Sequence, residues 1–337
     1  MPVTINEVAK EAGVSITTVS RVVNNNYPVK KETREKIERA IEKLNYKPNA
    51  AARSLITKKT SMIGVIVPGI TNLFFPTIVE SIEEHIKEMG YSIALSNTEG
   101  DAVHEREVAE RIVSRQVDGI IVIDPRFENL KNGFYDEINK NVPVIIINGA
   151  PTASKCNLVI YDEEVGTRDA FEYLIGLGHK KIAFVRGRKS FSYDIKEKIY
   201  NEILQEKHFQ YNKVIDVGKG NSIEVVDNTQ NKIEEVFTKE ERPTAVFACN
   251  DLMAVGVLNA CSKLSIKVPE ELSVIGCDNT LIAHISSPKL TSVDLDMKEI
   301  GRRAAQELIS TIEKSNRSKS KIIMDTKLII RDSCAKP

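Results

Sequence analysis

Ile16, Thr17 and Arg21 lie together on one short helical segment and carry groups that can read base edges in a duplex groove. A guanidinium donates two hydrogen bonds to guanine, which makes Arg21 the foremost candidate. Ile16 offers only apolar contact, for instance to a thymine methyl, and Thr17 a single hydroxyl, so this pair spells no definite base code. Around them stand Thr4, Asn6, Ser15, Thr18, Ser20 and Asn24. Hydroxyls, amides and the N–H groups of helix N-termini suit phosphate oxygens, although any of these residues can equally be a cap or a solvated side chain.

The elements that would position these groups are written in TINEVAKEAGVSITTVSRVVN, residues 4 to 24. Two amphipathic segments joined by a tight Ala-Gly-Val-Ser connection form the pattern of a helix-turn-helix. Ala9 is small where the helices cross, Gly13 sits where a left-handed backbone is needed, and Val19 is apolar where the second helix faces the first. Thr4 with Glu7 has capping-box spacing, and Ser15 is placed to cap the second helix. A third helix is expected over Lys31 to Leu44, with Ile37, Ala40, Ile41 and Leu44 on one face to close a three-helix core. Beyond it, Asn49 can cap a short Ala-rich helix that includes Ala52 and Leu55. Two turns fall well below the roughly 12 to 15 residues of a marginally stable helix, so this segment is expected to fold only on DNA.

Charge divides the chain where the motif does. Residues 1 to 60 hold 12 Lys/Arg against 6 Asp/Glu, leaving 35 against 41 in the remainder, so a net charge of zero conceals a basic head and an acidic body. That asymmetry suits a head drawn to a polyanion and a body that is not.

TINEVAKEAGVSITTVSRVVNN followed by YKPNAAARSL resembles the lactose/galactose repressor family. The likeness continues in LIGLGHKKIAFV at 174–185, RPTAVFACNDLMAVGVL at 242–258 and VPEELSVIGCDNTLIAHISSPKLTSV at 268–293, and so spans nearly the whole chain. The resemblance implies that residues 48 to 56 form a hinge helix that pairs with its dimer mate in the minor groove. Ala52 and Leu55 would then reach the bases, with Leu55 as the wedge between base steps; the alternative for Leu55 is a linker side chain tucked against the head. It also implies that Ile16 and Thr17 vary with operator sequence. The expected partners are a near-palindromic operator, a second copy of the chain and a small effector, a sugar or sugar phosphate. Nothing in the sequence supports a tetramer.

Past residue 60 the pattern becomes that of an α/β sensor. Apolar runs at Ile63 to Val67, Ile93 to Leu95, Gly119 to Ile123 and Val144 to Ile147 alternate with helical stretches at Pro76 to Met89 and Glu105 to Arg115. Such runs indicate parallel strands covered on both faces. The alternation restarts at Ile182 to Val185, Val214 to Val217, Ala245 to Ala248 and Ser273 to Ile275, implying two doubly wound parallel-sheet subdomains, an architecture like that of periplasmic binding proteins. The expected division is an all-α helix-turn-helix domain over 1–47, a hinge over 48–60 and an effector-binding and dimerisation domain over 61–337. Within the last, one subdomain takes about 61–159 and 291–321, the other about 160–290 and 322–337. Pro288 to Thr291 is expected to lead back to the first subdomain, and Ile322 to Ile330 to form a last strand in the second.

A ligand of such a fold lies between the subdomains at the carboxyl ends of strands. Asp251, Asp162 and Asp278 follow or end strands there, with Asp124 and Asn148 behind them, and carboxylates suit sugar hydroxyls. Asp251 can also help Asn250 cap the following helix, and the resemblance implies an effector contact for it. Phe74 and Phe75, expected in a loop, are either core plugs or a stacking platform for a ring. Lys196 stands where the family usually places an arginine, and a point charge does not replace a two-pronged donor; it can equally be a solvated helix residue. Glu163 stands where asparagine is common, and Lys219 to Ser222 offers no aromatic ring.

Other function classes lack their signatures. No G-x-S-x-G, G-x-x-x-x-G-K or G-x-G-x-x-G motif supports an enzyme, and Gly218-Lys219-Gly220 is a turn. The five Cys hold no C-x-x-C pair and the five His no H-E-x-x-H, so no disulfide frame, metal or other cofactor is expected. No apolar stretch approaches the roughly 20 residues of a membrane span, and no signal-like run precedes the first helix, so a cytoplasmic protein is expected. A plain solute-binding protein would have no use for the head. A second regulatory scheme replaces the small effector with a phosphorylated protein corepressor, whose phosphoserine Arg302 and Arg303 on the helix expected over Met297 to Glu313 could receive, although a basic solvated face is the commoner reading of such a pair.

Overall fold

The computed structural model describes residues 3–24, 27–47, 59–149, 152–188, 190–239, 241–314 and 319–337. The chain divides into two compact units, Met1–Thr60 and Ser61–Pro337. The expected hinge helix, with Ala52 and Leu55, lies outside the described residues.

In the first unit, α1 (Ile5–Ala12), α2 (Ile16–Asn24) and α3 (Lys31–Leu44) enclose Val8, Ala9, Val19, Val22, Ile37 and Ala40. Each boundary has a local cause. The Glu7 carboxylate accepts from the Thr4 backbone N–H at 2.7 Å and from its hydroxyl at 3.0 Å, the reciprocal half of a capping box. Gly13 ends α1 with φ +65°, a conformation that favours glycine. Two residues later, Ser15 Oγ accepts from Thr18 N at 3.2 Å and starts α2.

Among the described residues of the second unit, twelve strands form two six-stranded sheets. The first sheet contains β1 (Met62–Val67), β2 (Ser92–Asn97), β3 (Gly119–Ile123), β4 (Val144–Asn148), β5 (Asn157–Tyr161) and β11 (Lys321–Met324), in the order β11-β5-β4-β3-β1-β2. The second contains β6 (Ile182–Arg186), β7 (Lys213–Asp216), β8 (Ala245–Ala248), β9 (Ser273–Asp278), β10 (Thr291–Asp294) and β12 (Lys327–Ile329), in the order β12-β10-β9-β8-β6-β7. All pairings are parallel except that of β12 with β10. Strands β3, β4, β5, β8 and β9 are buried along their whole length, which explains their continuous apolar character.

The first sheet carries α4 (Phe74–Lys87), α5 (Ala102–Ser114), α6 (Phe127–Lys131), α7 (Phe134–Asn139) and α13 (Met297–Glu313). The second carries α8 (Glu163–Leu177), α9 (Phe191–Glu206), α10 (Glu224–Lys239), α11 (Asp251–Lys263) and α12 (Leu281–Ile285).

The places where the chain changes sheets differ from the expected ones. β5 extends the first sheet to Tyr161. Residues 291–294 do not return to it: β10 pairs with β9 in the second sheet, Val293 opposite Cys277, and only α13 covers the first. The single strand expected over 322–330 is two, β11 beside β5 and β12 beside β10. The break at Asp325-Thr326 has a physical cause, because Thr326 Oγ1 donates to the Asp162 carbonyl at 2.6 Å and accepts from Gly166 N at 2.9 Å. That hydroxyl pins the chain at the start of α8, and no continuous ladder can pass it. Phe74 and Phe75 form the first turn of α4 and are not in a loop.

Candidate functional site

On the head, Ile16, Thr17 and Arg21 are exposed on α2, away from the Val19 and Val22 face. Ile16 keeps 49% of its surface exposed, which leaves its side chain available for an apolar contact. The Arg21 guanidinium lies 4.6 Å from the centre of the Tyr27 ring, a contact the sequence reading missed. Of the expected phosphate-binding residues, Asn6 is exposed, and the rest have local partners. Ser15 Oγ and Thr18 Oγ1 are 2.8 Å apart, Asn24 Nδ2 donates to Ser20 Oγ at 3.1 Å, and Thr4 is engaged by Glu7. Thr4 and Ser15 are exposed, and Thr18, Ser20 and Asn24 are half-buried.

In the body, the carboxyl ends of strands from both sheets converge on a closed cleft. Phe74 and Phe75 come from the segment after β1, Asp124 follows β3, and Tyr161 and Glu163 flank the end of β5. From the second sheet come Ser192, Tyr193 and Lys196 after β6, Asn221 after β7, Asn250 after β8 and Asp278 at the end of β9. The cavity they leave measures about 20 Å³, enough for about one water.

The lobes are fastened across it. Asn72 Nδ2 donates to Asn221 Oδ1 at 3.2 Å, and Thr71 Oγ1 to the Asn221 carbonyl at 3.1 Å. Phe127 on α6 stacks on Phe191 of α9, ring centres 5.8 Å apart and planes within 4°. Below this rim, Tyr193 OH donates to Asn221 Oδ1 at 3.0 Å, and its ring lies so close to Gly220 that a Cβ there would fall 2.3 Å from the hydroxyl. Only glycine fits beside that ring.

The cleft's charged centre is an ion pair. Lys196 Nζ donates to Glu163 Oε1 at 3.0 Å and to Ser192 Oγ at 2.7 Å, and Ser192 Oγ donates to the same Glu163 oxygen at 2.6 Å. Lys196 and Glu163 side chains are 2% and 1% exposed, so both charges are removed from water. Burial alone would lower the Lys196 pKa, but neighbouring groups including Cys277 and Glu163 hold it well above the ordinary value.

Phe74, Phe75, Lys196 and Asp278 are therefore brought together as expected lining residues, whereas Asp162 and Asp251 are not among the residues that line the cavity. Asp162 caps α8, accepting from Glu164 N at 3.0 Å. Asp251 turns beneath β9 and β10, where Oδ2 accepts from Thr280 N at 2.7 Å and Thr280 Oγ1 at 2.8 Å, and Oδ1 from Ser292 Oγ at 2.7 Å. Those bonds tie the end of β9 to β10. Asn250 performs the cap, accepting from Met253 N at 2.9 Å, while its amide donates to the Gly220 carbonyl at 2.8 Å. Sequence reasoning missed Asn72, Ser192, Tyr193 and Asn221. Glu163 stood out only as a departure from the resemblance, although its place two residues past a strand end was the available signal. Arg302 and Arg303 both engage Glu299, so a phosphoserine would have to displace that carboxylate.

Asp124 gives the cleft a pH response. Burial first, then repulsion from Glu163, pushes its carboxyl up to about 7, with Glu105 adding repulsion and Lys196 and Arg126 opposing it. A folded-state value above the unfolded one means that the fold favours the protonated acid. Its contribution is fully present below about pH 4, the unfolded carboxyl value, and is lost as pH rises through about 7. The denaturant midpoint of the wild-type chain should therefore fall more steeply between pH 4 and 7 than that of Asp124→Asn. Equal slopes would assign the response to another group.

Comparison with known proteins agrees with this geometry. Residues 4–49 match the family described as bacterial regulatory proteins, lacI family, and residues 171–334 match a periplasmic binding protein-like domain. Catabolite control protein A of Priestia megaterium is 35% identical over 336 residues, 99% of each chain. The HTH-type transcriptional repressor PurR of Vibrio vulnificus (strain CMCP6) is 32% identical over 346 residues, again 99% of each. The crystal structure of the Lac repressor dimer bound to operator and the anti-inducer ONPF superposes with a TM-score of 0.89 at 26% identity, covering 99% of this chain and 100% of that one. Such likeness from end to end, with head and body in the same order, shows that the chain belongs to the lacI family of bacterial regulatory proteins.

Proposed function

We propose that this DNA-binding regulator is a cytoplasmic homodimeric repressor that grips a near-palindromic operator and is switched by a small effector, a sugar or related metabolite, in the cleft of its body. Two heads would occupy successive major-groove half-sites, with Ile16, Thr17 and Arg21 at base edges and Thr4, Asn6, Ser15, Thr18, Ser20 and Asn24 at phosphates. Residues 48–60, with Ala52 and Leu55, would bend the minor groove between them. The Lac repressor structure supports this scheme as a dimer on its operator. The observation that carries the switch is that the cavity is lined from both sheets, so a guest touches both lobes at once. A guest that binds two lobe angles unequally shifts their populations, and with them the spacing of the two hinge segments.

Operator selection from random duplex DNA tests the reading. The full chain should enrich a two-half-site sequence, and a chain lacking residues 1 to 60 should enrich none, a loss within the roughly 10³- to 10⁷-fold range that separates specific from non-specific binding. Equal enrichment by both chains would end the proposal.

A further inference from the structure

Three carboxylates, Asp124, Glu163 and Asp278, face the cavity, against one described ammonium, Lys196. Among the described lining residues there is no arginine, and nearby Arg186 is engaged by Asp194 and Glu197. Lys196 is committed to Glu163 Oε1 and Ser192. The other Glu163 oxygen, Oε2, is buried without a hydrogen-bond partner among the described residues. Asp278 is 6% exposed and takes a single 3.5 Å contact from Asn72 Nδ2 among the described residues.

A buried carboxylate without a countercharge is costly, and the usual relief is a bound cation or a proton. The protein shows the second response: burial, and then repulsion from Asp251, pushes Asp278 well above its ordinary value, and Asp124 stands at about 7. A neutral polyol could satisfy Glu163 Oε2 but leaves Asp278 protonated and without a strong partner, whereas an ammonium would favour its ionised form. A phosphate would bring negative charge to a site already lined by three carboxyl groups.

We infer that the guest of this cleft is a small polyhydroxylated amine of the amino-sugar class, its ammonium held by Glu163 and Asp278 and its hydroxyls by Asn72, Asn221 and Asn250. The inference rests on the cleft being the effector site. Phe74 and Tyr161, edge to face with ring centres 5.5 Å apart, supply an apolar wall for the sugar's C–H face. A guest of this size exceeds the 20 Å³ cavity, so the Asn72–Asn221 bond and the Phe127–Phe191 stack must part to admit it.

Calorimetry on the full-length chain, with glucosamine, galactosamine and mannosamine set against the parent hexoses and their 6-phosphates, tests it. At least one amino sugar should bind about tenfold or more tighter than its neutral parent, as charge-assisted bonds to two carboxylates require, and the phosphates should bind weakest. Asp278→Asn should bring amine and parent to parity while circular dichroism shows the variant folded. A neutral hexose or hexose phosphate that binds as tightly as the amine overturns the inference and leaves the effector cleft standing. Absence of heat from the whole panel also overturns it. The cleft itself is judged separately, by whether a low-molecular-weight cell filtrate alters operator affinity of the wild type but not of the cleft-filling Ser192→Trp.

Discussion

Replacing Glu163 by leucine is expected to lower the unfolding free energy by about 3 to 5 kcal/mol, the usual cost of stranding one partner of a buried ion pair. The measurement is the denaturant midpoint, with an unchanged slope confirming that stability and not cooperativity has moved. The loss is large because Lys196, 2% exposed, would keep only the Ser192 hydroxyl as a partner, and that hydroxyl would lose its own acceptor. Adding Lys196→Met should recover most of the loss, since removing both charges together can be neutral or stabilising. A single variant within about 1 kcal/mol of wild type would mean that water reaches the pair, because solvent-exposed ion pairs contribute no more than that.

Arg21→Ala is expected to cost about 1 to 3 kcal/mol on the selected operator and to relax preference at one base pair per half-site. The dependence of affinity on salt should stay the same, because a base contact releases no counterion. An equal loss on random DNA, with a shallower salt slope, would reassign Arg21 to a phosphate. Tyr27 supplies the control. Its ring holds the Arg21 guanidinium at 4.6 Å in the free head, and Tyr27→Ala should change operator affinity by no more than about 1 kcal/mol, the scale of an exposed cation–π contact.

The head was legible almost residue by residue because its boundaries are set by local chemistry. Thr4 with Glu7, Gly13 and Ser15 each act within a few residues of themselves, and α3 occupies Lys31–Leu44, the span its apolar spacing predicts. The strands were legible for a similar reason, since burial on both faces demands unbroken apolar runs. What stayed hidden is long-range. TSVD at 291–294 fits either sheet as a pattern, and it joins the second only through pairing with β9. Side-chain direction was hidden too: adjacent Asn250 and Asp251 end up with opposite duties, one lining the cleft and the other tying β9 to β10. Lys196 and Glu163, read singly as two departures from the resemblance, prove to be partners separated by 33 positions.

The order in which the sheets are completed has a consequence for synthesis. The first lobe begins to form as residues 62–161 leave the ribosome, but its edge strand β11 and its covering helix α13 arrive only after the whole second sheet except β12 has been made. Until then the face that receives Ile300, Ala304, Ala305, Leu308 and Ile309 is bare. The half translated first is thus completed only after nearly all of the second has been made, and a nascent chain stopped near residue 296 presents a sticky apolar sheet to chaperones instead of a usable lobe.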